Sequence, residues 1–504
     1  MSGRVHDATT FAGGPLECDV VVVGSGAGGA VAAAELAESG FSVIVVEEGP
    51  HRPTESFTDD DLAMVRALYR DGGVTATLGR PPIAYNEGRC VGGSTVVNGG
   101  MAWRAPERVL DRWRRDEDMP GLTAAALEPW FERVERLLSV ATQDPPSIGR
   151  DQQLLREGAE RLAWRVVDSR RAQVHCAGCN RCVFGCPTGA KQSTLVSYLP
   201  RAMAFGADVH ADCRVDRVTL RGKQAVGVQG NVLADGGRPD QPFSVAAAAV
   251  IVAAGAIQTP ALLTRSGVRS PSGRIGHGLT VHPGAQVTAV FDEPVEGWKG
   301  AHQAYQVREF EDDGVILAAV NLPPALVARS LPFAGDRLGR AMDDYPRMVS
   351  AGVLVEDTTS GRVRTVRGAP VPTYRITDHD VVRITTAVAH LAELLLTAGA
   401  RHVYLPYPTP DGGVGGVDAL RRLPLPRADD LDLLTVHLMG TAAMGGDPTR
   451  HVCDPSGRVW DTAGLYVADA SVFPSPVGVN PMETIMALSS RSAMAVADDL
   501  GGPR

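Results

Sequence analysis

The chain has 504 residues, 44 % hydrophobic and 21 % charged, enough for a large buried core and about three domains by length. Its 49 basic and 58 acidic side chains leave a net charge of −9, and no basic cluster with interleaved aromatics occurs, which argues against a nucleic-acid partner. No apolar stretch reads as a membrane span, and residues 1–15 lack a basic start followed by an apolar core, so a cytoplasmic location is expected.

The first informative stretch is 20–48. Four valines, Val20 to Val23, lead into Gly24-Ser25-Gly26-Ala27-Gly28-Gly29, an alanine-rich run, and a second apolar run that ends on Glu47-Glu48. Strand, glycine turn, helix, strand and acid in this order make a dinucleotide-binding βαβ unit. Gly24 permits the tight turn, Gly26 lets backbone approach a pyrophosphate, and Gly29 lets the helix pack close to the strand. The helix N-terminus then offers orphan N–H groups and the positive end of its dipole to the phosphates. Gly40 stands where a helix C′ residue belongs.

Residues 49–82 are mixed and polar, with a helix predicted over 60–69, and read as a surface excursion or lid. Residues 88–100 hold five glycines among small and β-branched side chains, a composition suited to backbone that something flat approaches closely. Helices are predicted over 107–115 and 129–138. Their charged faces, including Arg112, Arg114 and Arg115 around Trp113, are expected to be solvated.

Four of the eight cysteines fall within eleven residues: Cys176, Cys179, Cys182 and Cys186, separated by two, two and three residues and followed by Pro187. This is the spacing of bacterial ferredoxin ligands, and an iron–sulfur cluster is the leading reading. Structural zinc, whose ligand pairs usually stand well apart, and free thiols or a disulfide are the alternatives. Whether Cys186 is a ligand, and whether the cluster has three or four irons, stays open.

Residues 209–220 alternate like a strand, and the apolar run 246–254 reads as a buried parallel strand feeding a helix after Gln258. Strands at 286–291, 315–322 and 348–355 suggest a separate antiparallel sheet, followed by a long helix over 380–397. The Pro- and Gly-rich stretch 406–426 reads as a flexible loop or linker, and 482–500 as a C-terminal helix. The expected fold is therefore α/β, a Rossmann-like domain with a second α+β substrate domain built on an antiparallel sheet. By segment, nucleotide-binding parts fall at 14–110, 201–284 and 431–504, a helical and cysteine-bearing part at 111–200, and the substrate domain at 285–430.

Four stretches together resemble the glucose-methanol-choline (GMC) family of FAD oxidoreductases. They are the opening βαβ unit, residues 88–111 with Gly-Arg, Gly-Gly-Ser-Thr and Asn98, and residues 255–267 from Gly255-Ala256-Ile257-Gln258-Thr259-Pro260 onward. The last is the C-terminal set of His437-Leu438-Met439-Gly440-Thr441, Asp469-Ala470-Ser471 and Gly478-Val479-Asn480-Pro481. Arg269 departs from the second signature, where the family usually has glycine. The resemblance implies FAD, with Gly24, Gly26 and Gly29 at the pyrophosphate and Glu47 at the adenosine ribose. It places Gly92, Gly93, Ser94, Asn98 and Gly99 along the phosphates and flavin, and Asp469 with Ala470 near the ribityl chain. No histidine lies between Gly88 and Arg104, so the FAD is expected to be noncovalent.

Oxidising an alcohol requires its hydroxyl proton to leave, and a neutral imidazole is the usual acceptor, which makes His437 the candidate base. Asn480 suits the substrate oxygen or flavin edge, and standing before Pro481 it is also a candidate helix N-cap. The expected activity is oxidation of a small-molecule alcohol. A cluster would pass electrons singly to a redox protein or quinone, and the alternatives are an oxygen-using oxidase, a hydroxynitrile-lyase-like flavoprotein and an electron carrier without a small substrate.

Overall fold

The computed structural model describes residues 2–234, 237–410 and 412–502. The β-branched runs Val20 to Val23 and Val43-Ile44-Val45-Val46 are buried on both faces, so they pair centrally: strand Gly14–Val23 lies parallel to Val43–Val46 on one side and to Arg238–Val252 on the other. Val43–Val46 is flanked in turn by Asp208–His210 and then Val5–His6, all parallel. Leu465–Val467, from near the C-terminus, adds parallel to the end of Arg238–Val252. One eight-stranded sheet thus draws strands from both ends and the middle of the chain.

The helix Ala27–Glu38 covers one face of this sheet and packs on the C-terminal helix Met482–Leu500. Both are rich in Ala and other small side chains, which permits close approach. Gly40 takes the expected left-handed conformation, with φ 93°.

The second sheet is built around the antiparallel pair Gly284–Val290 and Met348–Val355, extended by Val315–Ala319. The helix Asp378–Ala398 lies against it through Val381, Ile384, Val388, Leu391 and Leu395. By length and apolar content alone this helix could cross a membrane, a property the sequence reading did not assign to it, but its apolar face is covered by the sheet. The structure is accordingly an α/β nucleotide-binding domain joined to an α+β domain on an antiparallel sheet.

Several local expectations change. The strand predicted at 209–220 is two strands, Asp208–His210 and Cys213–Arg221, broken at Ala211 and Asp212, whose φ of 54° interrupts the extended backbone. The apolar run at 246–254 is the inner end of a longer strand, Arg238–Val252, whose outer half forms a meander with Gln224–Ala234. Helix Ala124–Leu137 begins earlier than predicted, capped by the Thr123 side chain, and carries Pro129 inside it. Stretch 406–426 is no free linker. Tyr407, Val414 and Leu420 are buried, Val414 pairs with Val403, and Val417–Arg421 is helical; Asp411 lies outside the described residues, as do 503 and 504 of the C-terminal part. Arg112 is not merely solvated either, since with Arg108 it grips the buried Glu356 at 2.8 and 2.7 Å.

Candidate functional site

The glycines of the first turn show why no other residue fits. A Cβ on Gly24, at φ 101°, would lie 2.3 Å from the Ala253 carbonyl oxygen, and one on Gly29 only 2.0 Å from that of Gly24. Gly26 differs: its nearest neighbour is Gly93 Cα at 4.0 Å, so open space lies in front of a helix N-terminus that no side chain caps. The 88–100 loop meets it there, for a Cβ on Gly93 would come within 2.9 Å of Gly26 Cα. Two glycine-rich segments far apart in sequence thus abut at an uncapped helix end, a cradle fitted to a dinucleotide phosphate. Gly92 and Gly93 both have positive φ, and Ser94 opens the short helix Ser94–Val97 with its hydroxyl accepting from Gly88 N–H.

The two acids of this region are held tightly. Glu47 ends strand Val43–Val46 and accepts from Ser25 N–H and hydroxyl and from Gly49 N–H, while burial raises its pKa. Asp469 accepts from Gly255 N–H and the Thr259 hydroxyl at 2.8 and 2.5 Å, and from Ser471 N–H and hydroxyl. It therefore ties the 255–267 stretch to the C-terminal segment that carries Ala470.

The Asn98 amide contacts Met482 Sδ at 3.0 Å, which brings the glycine-rich loop to the start of the C-terminal helix, two residues from Asn480. Asn480 does not cap that helix: Pro481 occupies the cap position, and the Asn480 amide turns to His437, Nδ2 to Nε2 at 3.3 Å. Arg308 Nε donates to Gln306 Oε1, and Gln306 Nε2 in turn donates to Asn480 Oδ1, both at 3.2 Å. This chain fixes the amide so that it presents its N–H groups to His437 Nε2.

His437 Nδ1 faces His282 Nδ1 at 3.3 Å. Gly478 N–H donates to His282 Nε2 at 3.1 Å, so the tautomers of the two rings are coupled through the facing Nδ1 atoms. Desolvation lowers the His437 pKa to about 4, and burial followed by the neighbouring His437 holds His282 well below its ordinary value. Asp357 steadies the segment, accepting from Val281 and His282 N–H and from the Tyr374 hydroxyl. His282, Gln306 and Asp357 escaped sequence reasoning because they stand 155, 131 and 80 residues from His437, beyond any motif spacing.

All eight cysteines are free thiols, which removes the disulfide reading. Cys176, Cys179, Cys182 and Cys186 line one cavity. Among the described residues no three His, Cys, Asp or Glu side chains converge on a single metal-ion position. The cavity wall includes Arg171 and Lys191 but no acid. Arg171 is 1 % exposed and donates to Cys182 Sγ at 3.2 Å, Gly99 O at 3.0 Å and Gln143 Oε1 at 2.8 Å. Lys191, 4 % exposed, spends its three N–H bonds on the carbonyls of Val96, Asn98 and Cys182. Burial lowers its pKa to about 8. Burial alone would raise Cys186, yet the Lys191 N–H, the Thr188 hydroxyl and the Lys191 charge outweigh it and leave the thiol below its ordinary value. Cys179 is raised, by burial and then by the other three cysteines.

A glycine cradle at a helix end with an imidazole–amide pair beside it fits a dinucleotide-dependent enzyme. Sequence comparison agrees: the GMC oxidoreductase profiles match residues 65–284 and 357–489, and an FAD-binding domain profile matches 19–57. An uncharacterised GMC-type oxidoreductase of Sinorhizobium fredii is 39 % identical over 95 % of this chain and 94 % of its own. A long-chain-alcohol oxidase of Arabidopsis thaliana is 29 % identical over 96 % of this chain and 68 % of its own. Among solved structures, pyridoxine 4-oxidase from Mesorbium loti superposes with a TM-score of 0.73 at 19 % identity, covering 95 % of this chain and 99 % of that one. The chain belongs to the GMC oxidoreductase family, FAD-dependent enzymes that act on CH–OH donors.

Proposed function

We propose that the protein oxidises a small-molecule alcohol to an aldehyde or ketone with His437 as base and passes the electrons to an external acceptor through a cysteine-held iron–sulfur cluster. The observation that carries the first half is the Asn98–Met482 contact, which joins the glycine cradle to the His437–Asn480 pair. FAD, held noncovalently in that cradle, supplies the two-electron acceptor. His437 Nε2 takes the hydroxyl proton, and Asn480, steadied by Gln306 and Arg308, donates to the same oxygen and fixes its pose. Because its pKa is depressed, His437 stays neutral and able to accept a proton well below neutral pH.

The cluster reading is supported by the donor set: four thiols around one cavity whose only charged neighbours are buried cations. The spacing of the four, two, two and three residues apart with Pro187 following, is that of ferredoxin ligands. A cluster would pass electrons singly, which suits a redox protein or quinone as partner. The long-chain-alcohol oxidase likeness favours the competing reading of an oxygen-using oxidase, and a hydroxynitrile lyase is the non-redox alternative.

Anaerobic mixing with a panel of alcohols tests the activity. Bleaching of the flavin absorbance is expected with at least one; peroxide on admitting air would favour the oxidase, and a flavin that stays yellow while a cyanohydrin is cleaved would favour the lyase. Iron and sulfide analysis of protein purified without air, with Cys179→Ser as control, tests the cluster.

A further inference from the structure

Arg171 and Lys191 are buried cations with no carboxylate partner among the described residues; what they touch are backbone carbonyls, an amide and a cysteine sulfur. Burying a cation without a counter-charge is strongly unfavourable. Two such charges side by side also repel each other. The wall they form encloses the four cysteines, so the missing negative charge belongs in that cavity.

Their other contacts point one way. Arg171 holds Gly99 O and Cys182 Sγ with the same guanidinium, and Lys191 holds Val96 O and Asn98 O together with Cys182 O. Each cation therefore clamps the glycine-rich loop of the flavin cradle to the cysteine run. The link from Gly99 to Cys182 sulfur is a single side chain.

Building on the cluster reading above, we propose that Arg171 and Lys191 are the built-in counter-charge of the cysteine-held cluster, and that Arg171 sets its reduction potential through Cys182. Each reduction adds one electron, delivered from the reduced flavin and passed on to the redox protein or quinone, and so adds one negative charge to the cavity. A neighbouring cation stabilises that added charge, and a hydrogen bond to a ligand sulfur acts in the same direction.

The test is an EPR-monitored redox titration of anaerobically purified wild-type protein and the Arg171→Gln, Arg171→Lys and Lys191→Gln variants, with iron and sulfide measured in each. Removing either charge is expected to shift the potential to more negative values, and Arg171→Lys to stay nearer the wild type. Should both neutral variants lose iron while Arg171→Lys keeps it, the need for charge is shown by that rescue. An unchanged or raised potential in an iron-bearing Arg171→Gln protein overturns the proposal while leaving the cluster standing, as does equal loss of iron in all three variants. Wild-type protein free of iron and sulfide overturns the cluster reading and this one with it.

Discussion

His437 carries the proposed chemistry on one nitrogen. Replacing it with Ala is expected to slow flavin reduction by alcohol about 10²- to 10⁴-fold. The bound FAD spectrum should be unchanged, because the cradle is made of other residues; stopped-flow absorbance reads both. An unaltered reduction rate would remove the residue from the mechanism. The ring's environment sets the pH response. Burial disfavours its charged form, so the acid limb of kcat/KM, measured with an alcohol that does not itself titrate, is expected near about pH 4 rather than at the ordinary imidazole value. At this scale the sequence was informative where chemistry and motif coincide, at His437 and Asn480. It was silent on Arg171, which looks like a surface residue until folding buries it beside sulfur 11 residues from Cys182.

Among elements, the opening βαβ unit shows two kinds of glycine. At Gly29 a methyl group would strike the Gly24 carbonyl at 2.0 Å, whereas at Gly26 it would meet only open space. Gly29→Ala is therefore expected to lower thermal stability as well as FAD retention. Gly26→Ala should unfold near the wild-type temperature yet bind FAD more weakly, on the order of tenfold or ~1.4 kcal/mol. Calorimetry paired with flavin-binding titration separates the two, and equal loss of stability in both variants would refute the distinction. This unit was legible because each local signal agreed with the next: apolar run, glycine turn, alanine helix, acid. The meander over 213–252 was not, because its outer strand carries Arg238, Pro239, Asp240 and Gln241, which are poor strand formers held by pairing alone. Helix Ala124–Leu137 was cut short in prediction at Pro129, whose missing N–H the surrounding packing tolerates through buried Leu127, Phe131 and Val134.

Over the whole molecule, buried acids make stability depend on pH. Glu483, fully buried in the first turn of the C-terminal helix, is raised to about 9 by desolvation and then by Glu135 beside it. Its folded value lies above its unfolded one, so its contribution is complete below the ordinary carboxylate range and is lost as pH rises toward about 9. Asp151 and Asp357, both raised to about 7 by burial, push the same way at lower pH. The melting temperature is expected to fall from neutral pH toward about pH 9, and Glu483→Gln to flatten much of that slope. A slope identical in the variant would show that other groups set it. Sequence patterning supplied the two-domain layout, since valine runs and alternating strands advertise their sheets; the acids could not be read, because nothing local marks a carboxyl for burial.

Strand Leu465–Val467 completes a sheet whose earliest strands are Val5–His6 and Gly14–Val23. On the ribosome, the earliest segment of that sheet emerges hundreds of residues before the latest, and the antiparallel domain is translated in between. The nascent coenzyme cradle must wait, half assembled, until Leu465–Val467 has emerged, which puts cofactor loading after translation of the antiparallel domain.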